Sequence, residues 1–222
     1  MIAPARRMTV LPARGQQGFS LVEILVVITI IGLLLTLGFN AVRGGMESSK
    51  VVACQKHLSD LGQQMLIYKD QRNKGRWPKE SGMRFLLTLY RDRQVQGRGS
   101  DIFLCPGVPE VSNEDGLSGE MGSSYDEWDN IDSMSIAYAG RDVENFPIRN
   151  LDDEVIAADD NEIGPNHKTK TNILYSDGDT LSWDIDIDGA EIMAGYPDLQ
   201  DQGWLPVGPD CPYEPLQTLR VD

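Results

Sequence analysis

Cysteine and histidine are scarce in this 222-residue chain, which has three cysteines and two histidines. Three cysteines are too few for a disulfide-built scaffold, and an odd number leaves at least one thiol unpaired within the chain. The sequence also lacks G-x-S-x-G, H-E-x-x-H, C-x-x-C and phosphate-loop motifs. Cys105 and His167 are formally a nucleophile and base, but no local pattern supports them. We therefore expect no enzyme and no catalytic residue.

Basic residues are scarce in the second half of the chain. Residues 101–222 contain 28 acidic and 5 basic side chains, a net charge of −23, and the whole chain carries −14. Residues 41–100 are the opposite, with 12 basic and 5 acidic side chains. An acidic surface of this size repels phosphate backbones, so we expect no nucleic-acid partner.

One long apolar run stands near the N-terminus, at residues 19–39, and its only charge is Glu23. As a helix it would be roughly 31 Å long, about the thickness of the hydrocarbon core of a membrane. The preceding 18 residues contain Arg6, Arg7 and Arg14 and no acid. The positive-inside rule keeps such a leader in the cytoplasm and places the rest of the chain on the far side. The pattern predicts a single membrane span.

Two other interpretations of this run explain less. A secretory signal has a shorter apolar core and a small-residue cleavage site, which this sequence lacks. A plain membrane anchor leaves Glu23 unexplained, because a carboxylate inside a membrane helix costs about 2.5–3.5 kcal/mol. Either Glu23 reaches the membrane edge, or a positive group of another subunit meets it inside the bilayer.

The segment Gly18-Phe19-Ser20-Leu21-Val22-Glu23 resembles the type III signal sequence of type IV pilins and type II secretion pseudopilins. The resemblance implies that a prepilin peptidase cuts between Gly18 and Phe19 and that Phe19 is then N-methylated. It also implies that Glu23 neutralises the terminal amine of a neighbouring subunit during assembly. Residues 1–18 are then a cleaved leader, 19–39 a transmembrane and assembly helix, 40–72 an amphipathic stalk helix, and 73–222 an acidic head.

The same resemblance implies a structural subunit of a type II secretion pseudopilus or a type IV pilus-like filament. Its expected partners are the prepilin peptidase, other pilin or pseudopilin subunits, an inner-membrane assembly platform and the membrane. Its expected location is the bacterial inner membrane, with a cytoplasmic N-terminus and a periplasmic head, and the filament lies in the periplasm or at the cell surface. Two alternatives stay open: a membrane-anchored periplasmic binding protein that forms no filament, and a membrane-tethered enzyme.

The predicted fold class is α+β, with one long N-terminal helix packed on an antiparallel sheet. Apolar residues at spacings of three and four mark a buried stripe on the stalk helix, which should end within residues 68–72. The stripe comprises Val51, Cys54, Leu58, Leu61, Met65 and Tyr68. Further predictions are a short helix at residues 84–90, a surface loop at 107–130, strands at 133–139 and 155–158, and a C-terminal loop or tail from Pro197. Residues 102–106 resemble a strand end found in pseudopilin-like proteins, which implies a strand end there. If the head is in an oxidising space, Cys54–Cys105 and Cys105–Cys211 are both allowed disulfides.

Residues 172–188 are the clearest predicted hairpin, with Asp177-Gly178 as its tight turn. His167 stands ten positions before Asp177. This spacing resembles the H-X9-DG module found with prepilin-type N-termini in several bacterial groups. The resemblance implies no known chemistry, and we expect His167 to play a structural role at the base of the hairpin.

Asp184, Asp186 and Asp188 suggest a metal site, and the sequence from Asp184 to Gly189 copies the opening of an EF-hand loop. The twelfth loop position is Gly195, where calcium needs a bidentate glutamate. Carboxylates that alternate along a strand also lie about 6.6–7 Å apart, too far to share one ion unaided. We favour a solvated acidic face over a calcium site, and we expect no cofactor. Residues 152–154 and 159–162 form two further acidic patches.

Overall fold

The computed structural model describes residues 19–108, 128–131, 135–149, 153–161 and 164–222, without the side chains of residues 37–44, 97–98, 130 and 200. The chain divides into two compact units, Met1–Gly44 and Gly45–Asp222. Helix α1, Leu21–Ile67, contributes residues to both. Within the part of the chain that the structure describes, no helix combines the length and the apolar character needed to cross a membrane. The predicted span reaches residues 37–39, whose side chains lie outside the described part.

The second unit, Gly45–Asp222, begins with the last 23 residues of α1. From here on, the head means this whole unit, which includes part of the predicted stalk as well as residues 73–222. All six stripe residues are buried, which confirms the periodicity prediction. After Ile67 the helix widens into a π-helical turn, Tyr68–Arg72, so its predicted end is also confirmed. Tyr68 Oη donates a hydrogen bond to Asp92 Oδ2 at 2.6 Å and so connects this turn to the end of the next helix.

The remaining helices are short. The predicted helix at residues 84–90 is confirmed as α2, Met83–Arg91, which buries its apolar side chains against the sheet. Within the described residues, two further α-helices, α3 and α4, precede the C-terminus, and three segments are 3-10 helices. In order, these elements are the 3-10 helices Gly97–Phe103 and Trp128–Asn130, α3 at Ala190–Ala194, α4 at Pro197–Gln202, and the 3-10 helix Glu214–Thr218.

The sheet has five antiparallel strands in the order β4-β3-β2-β1-β5. Their bounds are β1 Tyr138–Arg141, β2 Val155–Asp159, β3 Lys170–Tyr175, β4 Thr180–Asp184 and β5 Leu219–Arg220. One continuous core contains the α1 stripe, α2 and the buried sides of the strands. The α+β prediction is therefore confirmed, as are β2 and the β3–β4 hairpin.

The prediction of a C-terminal loop or tail is wrong. Leu205, Leu216 and Leu219 are buried, and β5 pairs with β1 at the edge of the sheet. The prolines in this region break any long periodicity, because they cannot sit inside regular helices or central strands. The chain is instead held by scattered single apolar residues, which periodicity does not detect.

Two other element predictions need correction. Residues 102–106 form no strand end, because the chain makes a 3-10 helix up to Phe103 and Leu104 N–H donates to Asp101 O. The strand predicted at residues 133–139 begins only at Tyr138, and residues 132–134 lie outside the described part. The loop predicted for residues 107–130 falls mostly on residues 109–127, which also lie outside it.

Gly82, directly before α2, packs tightly against the backbone, and its replacement should strongly destabilise the head. Gly82 has φ +65°, and a Cβ on it would lie 1.9 Å from Asp222 O. Its N–H donates to Arg141 O at 3.0 Å, so the backbone cannot easily move away. Gly82→Ala should lower the free energy of unfolding by more than about 4 kcal/mol, which is the range of exceptional single substitutions. The measurement is the denaturant midpoint followed by circular dichroism.

Gly75→Ala is the matched control, because Gly75 has φ +76° and open space around its Cα. It should cost only the backbone strain, about 1 kcal/mol. Equal losses of stability in the two variants would show that the close contact with Asp222 O does not contribute.

Candidate functional site

The described N-terminal residues form an uncovered apolar helix. Phe19 is 83% exposed, and the apolar side chains that follow it are each about half exposed or more. They are Leu21, Val22, Ile24, Leu25, Val26, Val27, Ile28, Ile30, Ile31, Leu33, Leu34 and Leu35. Contiguous apolar surface of this kind marks a site of contact with lipid or with other chains. Gly18, the other residue of the predicted cleavage site, lies outside the described residues.

Glu23 caps the start of its own helix. Ser20 N–H donates a hydrogen bond to Glu23 Oε2 at 2.9 Å, and α1 begins at Leu21. Glu23 is thus the third helical residue, which reaches back to the N-cap amide as in a capping box. The motif S-x-x-E at residues 20–23 predicts this contact, but the sequence interpretation above did not use it. The capping bond occupies one carboxylate oxygen, and a carboxylate has two.

A second group of functional side chains lies in the core of the head, around His167. The residue is 2% exposed, and its Nε2 lies 3.5 Å from Cys105 Sγ and 3.7 Å from Asp159 Oδ2. Its Nδ1 lies 3.9 Å from Glu47 Oε1. Burial lowers the pKa of His167, so the neutral ring is favoured. Cys54, Cys105, Asp159 and His167 are called the core cluster below.

Asp159 does not belong to a surface patch, contrary to the prediction for residues 159–162. It ends β2, has no exposed surface, and its Oδ2 accepts a hydrogen bond from Asn172 N–H of β3 at 2.7 Å. Burial raises the pKa of Asp159 to about 7, against the opposing effect of that hydrogen bond. Its Oδ1 has no hydrogen-bond partner. The sequence signal was weak: one acid directly after a buried apolar run.

A disulfide joins Cys54 of α1 to Cys105, with the two Cα atoms 5.0 Å apart. This confirms one of the two predicted pairings and excludes Cys105–Cys211, since Cys211 is a free and buried thiol. Gly107 packs closely against His167 and Cys105 of the core cluster. A Cβ on Gly107 would lie 2.7 Å from His167 Cε1 and 3.1 Å from Cys105 Sγ, so only glycine permits this approach.

Cys105 and His167, the formal nucleophile and base, are therefore brought into contact. While Cys105 is in the disulfide it has no thiolate, and the pair has no nucleophile. The absence of an enzymatic role stays a prediction.

The three residues of the H-X9-DG spacing do not form one site. Asp177 and Gly178 make the β3–β4 turn, with Gly178 at φ +94°, whereas His167 lies beyond the opposite end of β3. A strand of six residues separates these places by about 20 Å. Gly178 packs against α1, where a Cβ on Gly62 would lie 3.3 Å from Gly178 Cα. The spacing therefore spans one strand, with each end in contact with different parts of the core.

The aspartates proposed as weak calcium ligands do not alternate along a strand. The predicted hairpin extends its second strand to residue 188, but strand β4 ends at Asp184, so that part of the prediction is wrong. The chain turns there, because Asp186 N–H donates to Asp184 Oδ1 and Asp184 N–H donates to Asp188 Oδ2. Within the described residues the three carboxylates are not a group of ligands within 4.8 Å of one another. Calcium binding here stays a prediction.

Comparison with known families identifies the N-terminal segment. A model of the prokaryotic N-terminal methylation motif matches residues 13–39. The match includes both sides of the predicted cleavage site and Glu23, and it supports a type IV pilin-like protein processed as a prepilin. No curated protein and no solved structure gives a significant match.

Proposed function

We propose that the chain is a structural subunit of a type II secretion pseudopilus or a type IV pilus-like filament. The observation that carries this proposal is the methylation motif at residues 13–39, which from Leu21 onward lies on helix α1, with uncovered apolar side chains up to Leu35. The motif supports processing, and the uncovered helix supplies a surface that neighbouring subunits can bury. Each Å² of this apolar surface left in water would cost about 25 cal/mol, so stacked helices keep it covered once a subunit leaves the lipid.

The charges at the N-terminus provide the register of assembly. Cleavage after Gly18 would create an ammonium group on Phe19, in an otherwise apolar surface. Glu23 is the only acid within residues 19–39 that can neutralise such a group on a neighbouring subunit. The free carboxylate oxygen allows this contact while the other oxygen keeps the Ser20 N–H bond. Attraction between the two charges is strong where water is excluded, and the stagger that brings them into contact is favoured because any other leaves both charges unpaired in an apolar surface.

The proposal gives the head a supporting role. The α1 stripe is buried against the head's own core, so the head does not need a partner to cover it. The head is then a folded domain that the N-terminal helix brings into the filament. The alternative is a membrane-anchored periplasmic binding protein whose acidic head captures a basic ligand, and its supporting observation is the net charge of −23 over residues 101–222.

Processing is tested by intact mass and N-terminal sequencing of protein extracted from membranes of its native host. We expect a chain that begins at Phe19 and is one methyl group heavier than the unmodified chain. Gly18→Val should retain the leader, whereas Gly15→Val, a matched glycine inside the leader, should be processed normally. A wild-type chain that still begins at Met1 would contradict the proposal.

A further inference from the structure

We propose that the core cluster is a redox-dependent zinc site. In the reduced chain Cys54, Cys105 and His167 bind the metal, and Asp159, whose carboxylate is not within 4.8 Å of all three ligand atoms here, shifts to supply the fourth ligand. Among the described residues, the first three form the one group of three metal-ligating side chains whose ligand atoms all lie within 4.8 Å of one another. All of them are buried, as is usual for structural zinc. The inference concerns the head alone and does not depend on the proposed filament.

The distances around His167 Nε2 match those between ligands of one zinc ion. Zinc binds nitrogen at about 2.0–2.1 Å and sulfur at about 2.3 Å, so two tetrahedral ligands of these types lie roughly 3.6 Å apart. His167 Nε2 and Cys105 Sγ are 3.5 Å apart. A nitrogen and a carboxylate oxygen on the same ion lie roughly 3.4 Å apart. His167 Nε2 and Asp159 Oδ2 are 3.7 Å apart. The ring nitrogen thus faces a sulfur and an oxygen at nearly the required separations.

The buried polar atoms of the core cluster are incompletely paired. Asp159 Oδ1 and His167 Nδ1 have no hydrogen-bond partner, and both side chains are wholly buried. Within the described residues no lysine or arginine lies within 4 Å of the Asp159 carboxylate, and the one basic group there is the His167 ring. A buried anion is costly unless a positive charge compensates it. A divalent metal bound between these groups would supply that charge.

Glu47 is placed to orient the histidine. A metal-binding histidine usually directs its second ring nitrogen to a carboxylate, which fixes the tautomer and the ring orientation. Glu47 Oε1 lies 3.9 Å from His167 Nδ1, on the side of the ring away from Cys105. Glu47 is therefore a positioning residue in this proposal, and it makes no contact with the metal.

The two states are connected by a balanced exchange. A dithiol reductant gives two electrons and two protons to the Cys54–Cys105 bond, which yields two thiols, and the reductant becomes a disulfide. Zinc then displaces both thiol protons and binds the thiolates. A disulfide-bearing oxidant takes the two electrons back, the sulfurs rejoin, and zinc leaves. Thiols stay reduced in the cytoplasm and oxidise outside it, so the two states belong to different compartments.

The experiment compares zinc binding by the oxidised and reduced full-length chain in detergent. The reduced sample is prepared with a phosphine reductant, desalted without oxygen and mixed with zinc, and the retained metal is counted by mass spectrometry. We expect one zinc per reduced chain and none per oxidised chain. Cobalt in place of zinc should show the visible absorption of a tetrahedral thiolate site. A reduced chain that retains no zinc, or an oxidised chain that retains as much, would overturn the proposal.

Variants identify the ligands. His167→Gln should weaken zinc binding by more than the roughly 10–100-fold that loss of a second-shell partner costs. Cys211→Ser, which removes the thiol outside the core cluster, should leave the affinity unchanged. The oxidised His167→Gln chain, held by its disulfide, shows whether the substitution alone unfolds the head. If it does, His167→Cys decides, because a third thiolate must restore zinc binding. Unchanged affinity in a folded His167→Gln chain would refute the ligand set.

Discussion

Reduction of the Cys54–Cys105 disulfide, with a chelator present to remove metal, should lower the free energy of unfolding of the head by about 4 kcal/mol. The bond closes a loop with a sequence separation of 51 residues. In the chain-entropy model, a cross-link over a loop of this length restricts the unfolded chain by about that amount. The loop contains α2 and most of the α1 stripe, so its release also frees the principal helix-on-sheet contacts of the head.

The measurement is a guanidinium titration of oxidised and reduced full-length protein, followed by tryptophan fluorescence. Reduction is preferable to replacement of Cys54, because Cys54 also fills the core. Cys211→Ser serves as the control. Loss of a buried thiol shifts its own midpoint, but the difference between its oxidised and reduced forms should equal that of the wild type. Coincident titrations of the two forms would contradict the prediction.

Glu23→Gln should abolish filament assembly without affecting processing. On the proposed function, the glutamate neutralises the ammonium of Phe19 on a neighbouring subunit. Removal of one partner of a buried ion pair costs about 3–5 kcal/mol, because the other charge stays buried and unpaired. This cost falls on every subunit added, so it reduces assembly by roughly 100-fold or more at each step. The measurement is the yield of sheared or cross-linked filaments from cells that express equal amounts of each variant.

Comparison with Glu23→Ala separates the two roles of this side chain. Glutamine still accepts the Ser20 N–H bond and keeps the capping box, whereas alanine loses both the cap and the charge. If charge neutralisation controls assembly, both variants fail. If only the cap matters, Glu23→Gln assembles as the wild type does, and the charge-pairing mechanism is wrong. If both variants behave as the wild type in a chain that forms no filament, the anchored binding protein is favoured.

Local sequence patterns predicted the buried face of α1, the β3–β4 hairpin and the N-terminal motif. The spacing of Val51 to Tyr68 predicted the buried face of α1 because a helix repeats every 3.6 residues. The turn at Asp177-Gly178 predicted the β3–β4 hairpin for a similar reason, since that dipeptide suits the left-handed backbone of tight turns. The motif before the apolar run predicted the N-terminal match at residues 13–39.

Contacts between distant segments could not be predicted in this way. Asp159 reads as one of several surface acids, but its carboxylate accepts a bond from Asn172 N–H of β3, and the Asn172 side chain in turn donates to Val51 O of α1. Whether Cys105 pairs with Cys54 or with Cys211 is decided by which Cα atoms the fold brings together. The core cluster draws its residues from α1, from the segment after a 3-10 helix, from β2 and from the segment before β3. Asp159 and His167 are eight positions apart in the sequence, but Cys54 and Cys105 are each more than 50 positions from every other member.

The disulfide also determines how the head responds to mechanical force. When α1 is pulled at its N-terminal side and the head is held at its C-terminus, tension enters through Cys54 and passes across a covalent bond to Cys105. The residues between them lie on a side branch of the force path and are shielded from stretching. Hydrogen bonds and packing therefore do not have to carry the load at the point where the helix joins the head. In a subunit of this construction, tension stretches only the residues before Cys54 and after Cys105 while the disulfide holds.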